Sequence, residues 1–290
     1  MTTKKKSTDV APRDENASAL ALPFDYGEDA GVGQDELGIA SGPPPFLRVL
    51  QKGSPQVDEQ EEDYIPGAKP GMFINTATNE VVSGEEGVIF VPIGVRHVVD
   101  EWIPKDNGGG FIAEHGPEDE FVLTTIEANK KRTGKRFVPK PMTEDGHELI
   151  ETFYVYGFVL DAPGGQVIDA VLMPITSIKI KPYRSGIDSL KTFARGCPIF
   201  AHQVRITTKY ETRAAGNAFN IRVTPALGED GQTTRDRRKA SLIAPDSDLY
   251  QLAKLARAKF EGGEVEINRA AGAEEDVPAG DSQAAAKGVF

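Results

Sequence analysis

The sequence predicts a mainly β protein, built as a small, elaborated antiparallel barrel; a sandwich fits the same strand count. Three observations lead there. Two runs are long, β-branched and aromatic: GVIFVPIGVRHVVDEWI at 87–103 and ETFYVYGFVL at 151–160. Turn chemistry separates neighbouring runs at APGGQ (162–166) and RAAGN (213–217). Helical spacing is confined to two stretches, SGIDSLKTFAR at 185–195 and DSDLYQLAKLARAKFEGG at 246–263.

The elements follow in order. Residues 1–40 are rich in small and acidic residues with no sustained apolar period, and are expected to form a disordered N-terminal arm. SGPPPFLRVLQKGSP then opens the folded part, its prolines giving a stiff entry to the short strand FLRVL. The acidic run 58–63 reads as a solvated loop. GMFINTATNEVV has strand composition with a turn at its middle. In the 87–103 strand, Pro92 and Gly94 predict a bulge. The glycines of DNGGGF (106–111) read as a flexible turn. ETFYVYGFVL and QVIDAVLMPI form a first hairpin; IFAHQVRITTKYET and NAFNIRVTPAL form a second.

Between the hairpins, Ile187, Leu190, Phe193 and Ala194 share a helical face behind a serine cap. In the C-terminal helix, 246–262, Leu249, Leu252, Leu255 and Ala256 share a face, Asp246 or Ser247 caps it and Gly262 ends it. The expected organisation is thus an arm (1–40), a β domain (41–245), a helix (246–262) and a disordered acidic tail (263–290) that ends in Phe290.

Composition is that of an ordinary globular chain, 39% hydrophobic and 27% charged. No apolar run approaches the ~20 residues of a membrane helix, so no membrane partner is expected. The single cysteine, Cys197, excludes an internal disulfide and a cysteine-based zinc site, and a reducing cytoplasmic compartment is the simplest reading. Cys197 lies beside a proline at a strand start and reads as a small buried residue. His97, His115, His147 and His202 are widely spaced, form no HExxH pair and read as surface or loop histidines. Neither phosphate-binding glycine motif is present, so no nucleotide cofactor is predicted. No strand-borne carboxylate pair followed by lysine rises above chance, and catalysis has no positive support.

Charge is segregated. Residues 1–129 hold 9 basic and 24 acidic side chains, residues 130–239 hold 19 and 11, and residues 240–290 hold 5 and 9. A basic middle with net +8 therefore lies between acidic ends in a chain of net charge −11. The basic clusters are Lys130, Lys131, Arg132, Lys135 and Arg136; Lys179, Lys181 and Arg184; Lys191 and Arg195; and Arg235, Arg237, Arg238 and Lys239. Arg205 and Lys209 add to them from the second hairpin. Phe137, Tyr154, Tyr156, Tyr183 and Phe193 are interleaved, and Trp102 is either core or a stacking platform. Cations that neutralise phosphates and rings that stack on bases are what a single strand requires. For any one of these rings, core burial is the competing explanation.

Several segments resemble a known family. They are PFLRVLQKGSPQV, YIPGAKPGMFINTATNEV, GVIFVPIGVRHVVDEWIPKDNGGGFIAEH, ELIETFYVYGFVL and ITSIKIKPYRSGIDSL, in that order across residues 43–225. The most specific parts are the GA-x-x-G-x-F-x-N-T and E-W-x-P segments, in which Gly71 and Asn75 fit turn positions. Together they are similar to phage single-stranded DNA-binding proteins of replication and recombination gene sets. That resemblance implies an OB-like barrel, no catalysis, and single-stranded DNA as the partner. A phage polymerase or recombinase is the expected partner of the C-terminal tail; a homo-oligomer is a further expected partner state, which the sequence itself does not determine. The alternative is a phage structural or assembly protein acting through protein contacts; a metal-dependent nuclease is the third reading.

Overall fold

The computed structural model describes residues 42–193, 196–213, 216–228 and 232–269, all within the unit Gly42–Phe290. The expected N-terminal arm lies outside these residues. Nine strands are described: β1 (Leu47–Val49), β2 (Phe73–Asn75), β3 (Val81–Val82), β4 (Val88–Ile103), β5 (Gly110–His115), β6 (Glu148–Leu160), β7 (Val167–Thr176), β8 (Val204–Arg213) and β9 (Gly216–Pro225). Four α-helices accompany them: α1 (Glu120–Thr133), α2 (Ile180–Phe193), α3 (Thr234–Ala240) and α4 (Asp248–Glu261). None of the described helices is long and apolar enough to cross a membrane.

The protein is mainly β, as expected, but the barrel is not closed. The strands form two antiparallel sheets. One has the order β1-β2-β3; the other runs β7-β6-β4-β8-β9, with β5 paired to the far end of β4. β4 is long enough to pair with β6 along one edge, while β8 and β5 share the other edge at Val88–Phe90 and Val99–Ile103. β7 and β9 end the sheet instead of meeting, so no barrel closes among the described residues. The chain entering β1 runs along the free edge of β7, where Phe46 bridges Leu172 in parallel, and side chains of the small sheet share a core with the large one.

Both faces of the large sheet are core. On one face Phe90, Val155, Val171, Met173, Ile175 and Ile206 meet Leu47, Val49 and Phe73 of the small sheet and Tyr183, Ile187 and Leu190 of α2. On the other, Ile89, Val91, Tyr154, Tyr156 and Phe158 meet Ala253 and Ala256 of α4. Period-two alternation sends neighbouring residues to opposite layers, and here each layer is buried. The C-terminal helix is therefore part of the domain. Phe260 stacks on Tyr156 with centroids 5.6 Å apart, and Ser247 caps the helix by accepting from the Tyr250 amide at 3.3 Å. The segment after it also docks: Val265 and Ile267 pack on the same layer, so the chain does not leave the fold at 263 as the sequence suggested. Residues 270–290 lie outside the described part.

Two readings are corrected here, and the glycine-rich turn is present as expected. The expected helix at 185 begins at Ile180, behind a turn at Ser177–Lys179. Pro182 falls in its first turn, where a missing amide hydrogen costs nothing. The glycine-rich turn at 108–110 leads into β5. Cys197 is exposed, not buried.

The bulge between Pro92 and Gly94 is present, and Gly94 lies against the Phe260 ring. Gly157, opposite Pro92, has a stricter requirement. A β-carbon there would overlap the Phe90 ring and the Val91 carbonyl, and a strand backbone cannot give way. Gly157→Ala is expected to cost about 1–3 kcal/mol, read as a lower midpoint in urea with an unchanged slope.

Candidate nucleic-acid interface

The basic residues of the middle region fall into three places. The first is the end of α1. Lys130, Lys131 and Arg132 occupy its last turn, where the helix dipole favours cations. Gly134 ends the helix at φ 66°, its amide donating to the Lys130 carbonyl at 2.9 Å. Asn129 staples the following loop to the helix. Buried, it donates to the Met142 carbonyl at 2.7 Å and accepts from the Met142 amide at 3.0 Å. Two of the cations are held locally, Lys130 by Glu127 at 2.6 Å and Arg132 by the Asn129 side-chain oxygen at 2.8 Å. Lys131, Lys135 and Arg136 are exposed, and Phe137, next in the chain, is at 72% the most exposed of the large apolar side chains described.

The second place is the outer face of α2. With Tyr183, Ile187 and Leu190 turned into the core, Lys181, Arg184, Ser185, Asp188 and Thr192 line a shallow outward groove. α3 lies alongside, its Arg238 donating to the Ser189 hydroxyl. The RDRRK stretch, read from sequence as a separate cluster, is thus a short helix beside α2, with Arg235 and Lys239 exposed. The third place is β8. Arg205 and Lys209 alternate with Ile206, which faces the α2 layer, so they point to the opposite side of the sheet. Arg205 donates to the Glu86 carbonyl at 2.8 Å. The 205–213 strip therefore does not extend the α2 face.

Several residues expected to touch DNA are interior. Trp102, Tyr154, Tyr156 and Tyr183 are 8%, 4%, 5% and 5% exposed. They are core side chains and offer no face to a base. Trp102 lies edge-on to Phe111, and Tyr154 donates to the buried Asp100 carboxylate at 2.8 Å. Lys179 is also buried. Burial, with a smaller contribution from Arg48, pushes its amine down to about 7, and it cannot reach a phosphate. Arg195 lies outside the described residues, as do the side chains of Lys191 and Phe193.

α1 and α2 stand on the same face of β6. Leu149, Glu151 and Phe153 are successive positions on that face. Leu149 is buried with Val122 of α1 and Val99 of β4; Phe153 belongs to the α2 layer. The two anchor points are four residues apart, roughly 13 Å along the strand, more than the 8–10 Å of closely packed helices. Glu151 sits in the gap, half exposed, and one carboxylate oxygen faces His97 Nε2 at 3.0 Å and an Arg184 nitrogen at 3.5 Å. His97 stacks on Phe153 with centroids 4.0 Å apart, and the Arg184 guanidinium lies 4.5 Å from the same ring. Sequence reading missed His97 and Glu151, which are 54 positions apart and meet only through the β4–β6 register.

The remaining histidines are structural. Glu101, buried, accepts from His115 at 2.8 Å and His147 at 2.7 Å, tying β5 and the 143–147 turn to β4. Burial opposes ionisation of Glu101, but the two histidine hydrogen bonds outweigh it and hold the carboxyl below its ordinary value. His202 is fully buried, and burial lowers its ring below the usual histidine value. His147 stands in a loop, as expected, whereas His202 is interior and not the surface or loop histidine expected. Among the described residues no group of three or more His, Cys, Asp or Glu is arranged to hold a metal.

The family model of the Pam3 phage gp34-like protein matches residues 14–266. The chain belongs to that family. Bacteriophage origin, expected from the resemblance, is thereby supported, and the matched span covers both the α1 arm and the α2 groove. No curated protein and no solved structure matches this gp34-like chain.

Proposed function

We propose that this gp34-like phage protein is a non-catalytic binder of single-stranded DNA, acting during replication or recombination. The observation that carries the reading is Phe137, a freely exposed ring that directly follows the exposed cations Lys135 and Arg136 in the loop behind α1, whose last turn carries the exposed Lys131. An apolar ring in water is costly to leave uncovered, and a base is a flat apolar partner that brings its own phosphate to the neighbouring cations. The α2 face, with Lys181, Arg184 and Arg238, supplies a second row of cations on the side of the sheet that carries α1. An OB barrel is not required for this, since the contacts come from helices and a loop. The acidic tail is proposed to recruit a phage polymerase or recombinase.

Fluorescence anisotropy with labelled oligo-dT and a matched duplex, at low and moderate salt, tests the proposal. Tight, salt-sensitive binding to oligo-dT with weak binding to duplex is expected. Absence of binding to either would overturn it in favour of a structural or assembly role. That second reading has one observation behind it: Phe121 and Leu123 of α1 and Ile112 of β5 are 45%, 50% and 44% exposed, apolar surface suited to a protein partner.

A further inference from the structure

The gap between α1 and α2 contains an anion of its own. Glu151 Oε1 is faced by His97 at 3.0 Å and Arg184 at 3.5 Å, and both of those groups also rest on Phe153. An imidazole and a guanidinium converging on one oxygen, both backed by an aromatic ring, are groups suited to binding a phosphate. Here a carboxylate fills that position. The arrangement is not a buried structural pair: Arg184, Glu151 and His97 side chains are 54%, 44% and 34% exposed, so solvent and ligand reach all three. The ion pair is also not needed to satisfy a desolvated group, since surface pairs of this kind contribute little to stability. Its position, on the strand between the two helices that carry the basic clusters, is what gives it a consequence.

We infer that Glu151 is a built-in competitor for the DNA phosphate, occupying Arg184 in the free protein and surrendering it when a backbone phosphate enters the gap. The inference rests on the single-stranded DNA reading above and assigns Glu151 the part of lowering affinity, so that the strand is held reversibly. Arg184 is the group exchanged between carboxylate and phosphate. His97, held flat on Phe153, is a positioning residue that keeps the carboxylate aimed at the gap.

Replacing the carboxylate by its neutral isostere leaves Arg184 free to neutralise one more phosphate. Glu151→Gln is therefore expected to bind oligo-dT about two- to fivefold more tightly at low salt. Its plot of log K against log salt should be steeper by about 0.7, the value of one additional phosphate on a single strand. Glu61→Gln, exposed in the acidic loop and paired with no cation among the ion pairs described, changes the net charge equally and should leave the slope unchanged. Adding Arg184→Ala to Glu151→Gln should abolish the gain. Thermal midpoints of all variants check that each is folded. If the wild-type chain binds and Glu151→Gln binds equally or more weakly, the competitor role is overturned while DNA binding stands. A slope that steepens alike in Glu61→Gln overturns it too, by assigning the effect to net charge. If the wild-type chain fails to bind oligo-dT, the DNA reading and this inference fall together.

Discussion

Arg269→Ala is expected to destabilise the domain by about 3 kcal/mol, the lower end of the cost of breaking a buried ion pair. In a domain of this size that corresponds to a fall in thermal midpoint of roughly 6–12 °C. Arg269 stands past the C-terminal helix, where Val265 and Ile267 dock the chain on the large sheet and bring the guanidinium to the Asp100 carboxylate at 3.5 Å and onto Glu114. The Phe111 and Tyr154 rings lie 5.2 and 5.7 Å from it. Asp100 has no solvent exposure, so alanine at 269 leaves its charge with only hydrogen bonds from Tyr154 and Thr152 to offset burial. Glu114 retains Arg96, which is why Asp100 dominates the loss.

The sign of the pH dependence identifies the cause. Burial raises the Asp100 carboxyl above its ordinary value, against the pull of the Tyr154 and Thr152 hydrogen bonds and the Arg269 charge. A carboxyl raised on folding contributes stability that is complete below the unfolded-state pKa and is lost as pH rises through the folded-state value. Removing Arg269 raises that value further. The deficit of Arg269→Ala should therefore be largest near neutral pH and shrink on acidification towards the ordinary carboxylate range. Asp100→Asn added to Arg269→Ala should recover part of the loss, because the amide oxygen still accepts from Tyr154 without a charge. Urea unfolding at neutral and mildly acidic pH measures both; a deficit independent of pH, with no recovery from the asparagine, would assign the loss to packing on Phe111 and Tyr154 instead.

Much of the sheet is legible in the sequence because its signals are local. The bulge follows from Pro92 and Gly94, both hairpins from glycine-containing turns, and the C-terminal helix from its leucine spacing and serine cap. α1 is not legible for a physical reason: Phe121, Val122, Leu123 and Ile126 run round the helix, and only Val122 and Ile126, one turn apart, meet the core. That sequence has no clear apolar face to declare it. Barrel closure is equally hidden. An alternating strand reads the same whether its second face meets a barrel interior, a stacked sheet or a helix, and here β6 is covered on both sides. The same double burial removes Tyr154 and Tyr156 from the candidate interface, and Tyr183 is lost because it lies on the core-facing side of α2. Phe137 escapes because it stands in a loop behind a helix end and not on a strand. The Glu151 gap depends on register alone; a one-residue slip of β6 against β4 would send Glu151 to the α4 layer.

Phe137 is where the single-stranded DNA reading has most to lose. If a base stacks on its ring, Phe137→Ala should weaken oligo-dT binding by roughly 5- to 150-fold, the equivalent of ~1–3 kcal/mol for one stacked base. Phe137→Tyr should keep most of the affinity, since the ring is retained. The salt slope should be unchanged in both, because no phosphate contact is removed. The cations that precede the ring in the chain give the converse pattern: replacing Lys131, Lys135 and Arg136 together by alanine should flatten the slope by about 2, at ~0.7 for each phosphate lost. These four side chains are exposed and hold no core contact, so stability should stay within about 0.5 kcal/mol of wild type. The two signatures are independent. A flattened slope with no effect of Phe137→Ala would keep the arm as a phosphate track and remove the stacking platform. Affinity unchanged by all of these substitutions would move the interface off α1, to the α2 groove, where Arg184 and Arg238 would have to supply the phosphate contacts without an exposed ring among the described groove residues.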